Sequence, residues 1–344
     1  MRLVAEFTRH DSGTMNRKTF LTTIGVGAAA ALARRVRAAS PKARMPRRAV
    51  IPAALTPYDD DLRVDVAEFR RHIAVLAAVP GVSGIMVNGA AGHDSTLTRD
   101  ERRRLVAEAL AAADDRVRIL AALRETKGLP TLAPFAKDAA AEGAHALVVM
   151  PSANKADEAW DGARARFDSA FSAANLPVAI YQTGYDTETL TRLAALPPIF
   201  AIKEGSGSPA VFERNLRAVR ALGRDVAVWS THSSWLLADL AVGADGILSG
   251  MGSVAADLHV ALAEAVWRSD LVAARAVSDR LFPLTQVFYR PGQDAHTRMK
   301  YALKKLGRQQ RELVRPPRQP LDDAERAAID RALLESGLLA AAGR

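Results

Sequence analysis

From residue 49 onward, short apolar runs alternate with longer segments of helical periodicity. Eight apolar runs occupy residues 49–57, 84–89, 118–123, 146–151, 178–184, 200–206, 226–232 and 246–250. Helix-like segments lie between them at 66–78, 98–113, 129–142, 160–174, 188–195, 208–222 and 234–242. Thr98 and Glu101 have the spacing of a capping box that opens one of these helices. Because two parallel strands need a crossover between them, this order predicts a parallel sheet.

The apolar runs are nearly continuous in Ile, Val, Leu and Ala, as expected for strands that are buried on both faces. Eight strand–helix units predict an α/β protein, a (β/α)8 TIM barrel over residues 49–254. A doubly wound sheet is disfavoured because no G-x-G-x-x-G follows the first run. Residues 255–344 have a helical pattern and predict a C-terminal helical extension. Pro316-Pro317 and Pro320 interrupt that pattern before a last helix near residues 322–339.

The formal net charge of +9 comes from one end of the chain. Residues 1–48 hold eleven of the 47 Lys and Arg but only two of the 38 Asp and Glu, so the remainder carries 36 of each sign. Nucleic-acid binding needs a basic face on the folded domain, and this distribution argues against it. The chain has no cysteine, which excludes disulfides and cysteine metal ligands.

Residues 1–48 form a basic leader with a recognisable order if translation starts at Met15. Asn16-Arg17-Lys18-Thr19-Phe20-Leu21 precedes a weakly apolar run over residues 24–33, and Ala31-Leu32-Ala33 resembles a cleavage site. The segment resembles a twin-arginine export signal with Lys in place of the second Arg. A disordered basic tail or a misassigned start is the alternative, so both a cytoplasmic and a periplasmic location stay open. The run is too short for a stable membrane span.

The predicted sixth strand ends in a lysine. In this architecture the chemistry lies at the carboxyl ends of the strands, and Lys203 follows Phe200-Ala-Ile there. Burial lowers the pKa of an amine, and a neutral amine attacks a ketone to form an imine. The alternative is a lysine that pairs with a carboxylate at the barrel mouth. Tyr181 ends the neighbouring strand five, where its phenol is a candidate proton shuttle or, alternatively, a core aromatic residue.

The predicted second strand ends in the glycine-framed loop Gly89-Ala90-Ala91-Gly92. The backbone N–H groups of Ala90 and Ala91 are candidates for binding a substrate carboxylate, because such loops present consecutive donors to an anion. An ordinary turn between strand and helix is the alternative interpretation.

These strand ends, in this order, resemble the dihydrodipicolinate synthase / N-acetylneuraminate lyase family of class I aldolases and lyases. The similarity runs from about residue 49 to beyond residue 257. Besides Tyr181 and the Gly89–Gly92 loop, it includes Ala54-Leu55-Thr56-Pro57, Ile202-Lys203-Glu204 and Gly246-Ile247-Leu248-Ser249.

The resemblance implies a pyruvate-type 2-keto acid bound as an imine on Lys203, with its carboxylate on the Gly89–Gly92 backbone. It also implies that Leu248 and Ser249 line the pocket, that neither a metal nor an organic cofactor is needed, and that the chain forms a homo-oligomer, a dimer or tetramer.

The chain also departs from the family pattern. The usual G-T-T-G-E or G-S-T-G-E is Gly89-Ala-Ala-Gly-His93, so the side-chain hydroxyls of this loop are missing. The Pro-Tyr-Tyr-Asn of the synthases is Pro151-Ser-Ala-Asn154, without the tyrosine that completes a partner's site. The loop after Tyr181 is contracted and lacks the arginine that holds a second substrate. True dihydrodipicolinate synthase activity is therefore not expected.

Two histidines lie at predicted strand ends in this region. His93 and His232 are candidates for an auxiliary acid or base, or for hydrogen bonds within loops. They do not predict a metal site, because no third ligand is spaced to join them.

The sequence therefore predicts a lyase or aldolase that forms an imine between Lys203 and a 2-keto acid, with Tyr181 as the proton shuttle. Two alternatives stay open: a dehydratase or hydratase-aldolase that acts on a keto sugar acid or aromatic keto acid through the same imine, and a non-catalytic barrel that binds 2-keto acids.

Overall fold

The computed structural model describes residues 45–126 and 128–340. In this part of the chain, each of the eight predicted apolar runs overlaps with one β-strand. The strands are β1 (Ala49–Pro52), β2 (Gly84–Val87), β3 (Arg118–Leu123), β4 (Ala146–Val149), β5 (Val178–Gln182), β6 (Ile199–Glu204), β7 (Ala227–Ser230) and β8 (Gly246–Ser249).

The eight strands form one parallel sheet that curls into a barrel. Their order is β1-β8-β7-β6-β5-β4-β3-β2, and all the strand pairs are parallel. At the seam, β1 meets β2 through parallel bridges from Val50 to Val82 and from Ala53 to Met86. The predicted (β/α)8 barrel is confirmed, and the carboxyl ends of its strands lie at one face.

Helices follow the strands as the periodicity predicted. They are α1 (Val66–Ala78), α2 (Arg99–Ala112), α3 (Ala133–Glu142), α4 (Trp160–Ala174), α5 (Thr187–Ala194), α6 (Pro209–Ala221) and α7 (Leu236–Ala241). The capping box is present: the Thr98 hydroxyl accepts from the Glu101 N–H, and the Glu101 carboxylate accepts from the Thr98 N–H.

The C-terminal region is helical, as predicted. It contains α8 (Gly252–Trp267), α9 (Leu271–Phe288), α10 (Ala295–Lys305) and α11 (Asp323–Glu335). Its irregular segment before α11 is tied to the barrel, because the guanidinium of Arg315 donates to both carboxylate oxygens of Glu101, at 2.9 and 2.6 Å. Arg298, which is fully buried, pairs with Glu325 and so joins α10 to α11.

The last residues of the basic leader contact the barrel. Arg47 forms ion pairs with Asp225 and Asp245, each at 2.8 Å. The backbone carbonyl of Arg47 accepts a hydrogen bond from the Trp229 indole N–H. The predicted export signal lies outside the described residues. None of the helices in residues 45–126 and 128–340 is long and apolar enough to cross a membrane.

Candidate active site

Lys203 lies near the carboxyl end of β6 and is almost completely buried, with 4 % of the residue exposed. It pairs in register with Tyr181 of β5, and its Nζ lies 3.9 Å from the centre of the Tyr181 ring. Burial lowers the pKa of Lys203 to about 7, while the charge of Asp94 raises this pKa and that of Arg124 lowers it. A substantial fraction of the amine is therefore neutral and nucleophilic near neutral pH.

Tyr181 offers Lys203 its ring face. Burial raises the pKa of Tyr181 to about 12, so the phenol is protonated at neutral pH and is a proton donor. Gly205 permits this arrangement, because a Cβ there would lie 2.8 Å from Thr231 Cγ2 and 3.1 Å from Tyr181 Cε2. The structure thus brings together the two residues that the sequence singled out, and their catalytic roles stay predictions.

The Gly89–Gly92 loop forms a short 3-10 turn over Ala90–Gly92. The Gly92 N–H donates to the Gly89 carbonyl at 2.9 Å, whereas the N–H groups of Ala90 and Ala91 donate to no group in the described residues. Ala91 is buried. Two unpaired donors next to each other suit the predicted carboxylate site.

His93 directly follows this loop, in the left-handed conformation (φ 57°), and is completely buried. Its Nε2 lies 3.1 Å from Asp294 Oδ1, in the C-terminal region. Burial lowers the pKa of His93 to about 3, opposed by the hydrogen bond to Asp294. The imidazole is therefore neutral. Of the two roles predicted for His93, acid or base and hydrogen-bonding residue, its contact with Asp294 favours the second.

His93 lies in a cluster with two residues of the C-terminal region, and not with His232. Asp294 and His296 approach His93, and one potential ligand atom from each of the three residues lies within 4.8 Å of the others. The contacts nevertheless argue against a cation. Asp294 Oδ1 already accepts from the backbone and hydroxyl of Thr297, and the Arg318 guanidinium lies 3.6 Å away. We assign no metal to this cluster.

His232, which follows β7, has different surroundings. Its ring stacks on Trp235 with centroids 3.8 Å apart, and burial lowers the pKa of His232. Its Nδ1 has no hydrogen-bond partner among the described residues. A role in the chemistry stays a prediction.

Leu248 and Ser249, predicted to line the pocket, are completely buried at the end of β8. The Ser249 hydroxyl lies 3.0 Å from that of Ser233, which donates to the Tyr289 hydroxyl at 3.1 Å. Tyr289 is 41 % exposed overall, and a charge on its phenol would raise the pKa of Tyr181. Sequence reasoning missed Tyr289, since it comes from the end of α9 and no local pattern links it to the strand ends.

Arg124 was also missed, although it immediately follows β3. Its Nε forms an ion pair with the buried Asp94, after β2, and its Nη1 donates to the Pro151 carbonyl, after β4, at 2.9 Å. Its positive charge lowers the pKa of both Lys203 and Tyr181. The signal was available, because Arg124 is a charged residue at the carboxyl end of a predicted strand.

The pKa of Lys203 gives the first prediction, an unusual pH dependence of imine formation. Only the neutral amine attacks, and its fraction rises with pH until the pH exceeds the pKa of about 7. With pyruvate and cyanoborohydride, we expect the rate of adduct formation to rise about tenfold from pH 5 to pH 6 and to level off above about pH 8. An ordinary lysine would give a rate that still rises steeply between pH 8 and pH 9, which would contradict the burial argument.

Fold and site together define a (β/α)8 barrel enzyme with a buried lysine at the carboxyl end of a strand. The chain belongs to the dihydrodipicolinate synthetase family, whose model matches residues 46–336. Members of this family are class I lysine Schiff-base lyases, and this chain is an enzyme of that class. The family predicted from the strand-end residues is thereby confirmed.

Two curated relatives named 4-hydroxy-tetrahydrodipicolinate synthase illustrate the similarity. The protein of Acidiphilium cryptum is 32% identical over 300 residues, which cover 84% of this chain and 98% of the relative. That of Kineococcus radiotolerans is 32% identical over 297 residues, covering 84% and 93%.

Solved structures share the fold. Dihydrodipicolinate synthase from Thermotoga maritima aligns with a TM-score of 0.78 at 24% identity, over 86% of this chain and 100% of that one. A monomeric dihydrodipicolinate synthase variant has the same TM-score and identity, over 85% of this chain and 97% of that one. YagE of E. coli K12, a family member in complex with pyruvate, aligns with a TM-score of 0.76 at 24% identity, over 85% and 99%. The dimer or tetramer expected for this chain stays a prediction.

Proposed function

We propose that the protein is a lyase or aldolase that binds a pyruvate-like 2-keto acid as a Schiff base on Lys203, with Tyr181 as the proton shuttle. The observation that carries this proposal is the buried amine, 3.9 Å from the Tyr181 ring centre, at the carboxyl end of β6. The pyruvate bound to YagE and the synthase names of the curated relatives support it.

In the proposed reaction, the neutral amine of Lys203 attacks the C2 carbonyl, and the resulting carbinolamine loses water to give the imine. The N–H groups of Ala90 and Ala91 hold the substrate carboxylate. Tyr181 donates a proton to the departing hydroxyl and recovers it from the water that later hydrolyses the imine.

The iminium then draws electrons from the C3–C4 bond. When a 4-hydroxy acid passes its C4–OH proton to the Tyr181 phenolate left by imine formation, that bond breaks, an aldehyde leaves, and the electron pair forms an enamine with C3. Tyr181 then gives this proton to C3, which yields the imine of pyruvate, and water releases pyruvate from Lys203. The same steps in reverse form a C–C bond, and each direction uses the same imine.

A panel of 4-hydroxy-2-keto acids tests this function when pyruvate release and water loss are assayed separately. We expect pyruvate release from at least one member of the panel. Water loss without pyruvate would indicate the dehydratase that uses the same imine. Tight binding without turnover, unchanged in Lys203→Arg, would contradict the enzyme and indicate a 2-keto-acid-binding barrel.

A further inference from the structure

Arg124 lies on the same rim of the barrel as Lys203, where the strands end. It lies at the end of β3, and its partners follow β2 and β4, so the guanidinium spans three successive strand ends. The next two strands in the sheet carry Tyr181 and Lys203. The electrostatic influence of Arg124 on both of these residues agrees with this placement.

The guanidinium of Arg124 has donors that the protein does not use. Nε is taken by Asp94 and one N–H of Nη1 by the Pro151 carbonyl, whereas Nη2 makes no hydrogen bond within the described residues. The side chain is 26 % exposed, compared with 4 % for that of Asp94. An ion pair that served only to neutralise Asp94 would not need an accessible, unpaired nitrogen.

The guanidinium of Arg124 is held by its bonds to Asp94 and Pro151, and both Asp94 and the neighbouring Glu125 are held in turn by other residues. The carbonyl of Asp94 accepts from the buried Arg102 at 2.7 Å. The neighbouring Glu125 is held by Arg166, which donates to both of its carboxylate oxygens at 2.6 and 2.9 Å. A fixed guanidinium loses little conformational entropy when it binds a ligand, and its planar donors match a carboxylate.

We propose that Arg124 forms an anion-binding subsite for the part of the substrate beyond the imine carbon, so that the enzyme prefers 2-keto acids that carry a second carboxylate. The inference rests on the proposed function, because it takes the imine on Lys203 as the anchor of the substrate. It names the substrate class that the imine alone leaves open.

Reductive trapping of two 2-keto acids on Lys203 tests the subsite. The probes are 2-oxoglutarate, which has a second carboxylate, and 2-oxohexanoate, which ends in a methyl group. For each protein, the ratio of the two half-saturating concentrations reports the preference, and effects on the reactivity of Lys203 cancel in this ratio. We expect the wild type to favour 2-oxoglutarate by about 10- to 100-fold, as for a hydrogen bond between charged groups.

Three variants separate recognition from charge balance. Arg124→Gln should remove most of the preference, and Arg124→Lys, which keeps a counter-charge for Asp94, should retain only part of it. Asp94→Asn combined with Arg124→Gln removes both charges and should behave as Arg124→Gln does. Arg217→Gln is the matched control, since Arg217 is exposed on α6 and pairs with Glu213, and its ratio should equal that of the wild type.

The outcomes distinguish this inference from the proposed function. If pyruvate is trapped on Lys203 but the preference is absent, or is the same in the wild type and in all three variants, the subsite is wrong and the imine stands. If no 2-keto acid, pyruvate included, is trapped on Lys203 of the wild type, the proposed function itself is wrong.

Discussion

Lys203→Arg is expected to lower kcat/KM for the best substrate of the panel by about 10³-fold or more, the size of effect seen when a covalent nucleophile is removed. The guanidinium stays protonated at all accessible pH values and has no lone pair with which to attack a ketone. Residual turnover would require catalysis by the remaining groups of the site alone. Steady-state assays at saturating and limiting substrate measure the effect.

Two further variants show whether the loss of activity comes from the missing amine or from a disturbed fold. Lys203→Met has a side chain of similar length without a charge, so it should fold well in this buried position and be equally inactive. Lys155→Arg is the matched control, because the Lys155 side chain is 86 % exposed and pairs with Glu158, and it should retain full activity. Activity of Lys203→Met within about tenfold of the wild type would refute the nucleophile assignment.

Gly246→Ala is expected to cause a large loss of stability, because Gly246 lies where β8 closes against β1. A Cβ at this position would lie 1.9 Å from the carbonyl oxygen of Ala49 and 2.8 Å from its backbone N and C. These are backbone atoms of the paired strand, which cannot move aside without breaking the pairing. We expect a loss of about 3 kcal/mol or more in the free energy of unfolding, and a melting temperature lower by roughly 5 °C or more.

Gly207→Ala is the control for this prediction. An added Cβ there meets no heavy atom within 4 Å, and the backbone is not in the left-handed region. Its free energy of unfolding should stay within about 0.5 kcal/mol of that of the wild type. Equal melting temperatures for the two variants would contradict the close approach of β8 to β1.

The barrel could be predicted from the sequence because its physical causes are local. Strands buried on both faces leave continuous apolar runs, and each crossover helix leaves its own periodicity and capping residues. The Thr98 and Glu101 capping box is one such local signal, and the structure contains both of its hydrogen bonds. Lys203 and Tyr181 were found for a related reason, since the carboxyl ends of the strands can be located once the strands are known.

The rest of the site could not be predicted because it depends on contacts between distant segments. Asp294 meets His93 from 201 residues away, and Tyr289 approaches Ser233 from 56 residues away. Both come from the C-terminal region, whose docking against the strand ends leaves no periodic signal. The helical pattern of that region predicts only an appended extension, whereas the structure shows that it contacts the loops that follow β2 and β7.

Arg124 is a different case. Its position directly after β3 could have been found by the same strand-end argument that found Lys203. The unpaired state of its Nη2 could not be predicted, because it depends on where Asp94 and Pro151 lie after folding.

The most direct test of the account is the mass of the active-site peptide after the wild-type protein has been incubated with pyruvate and borohydride, then digested. Reduction of the imine should leave one pyruvate-derived group on the Nζ of residue 203 and none on the exposed Lys155. An unmodified residue 203 across a panel of 2-keto acids, or adducts spread equally over surface lysines, would contradict the claim that a buried neutral amine carries the chemistry.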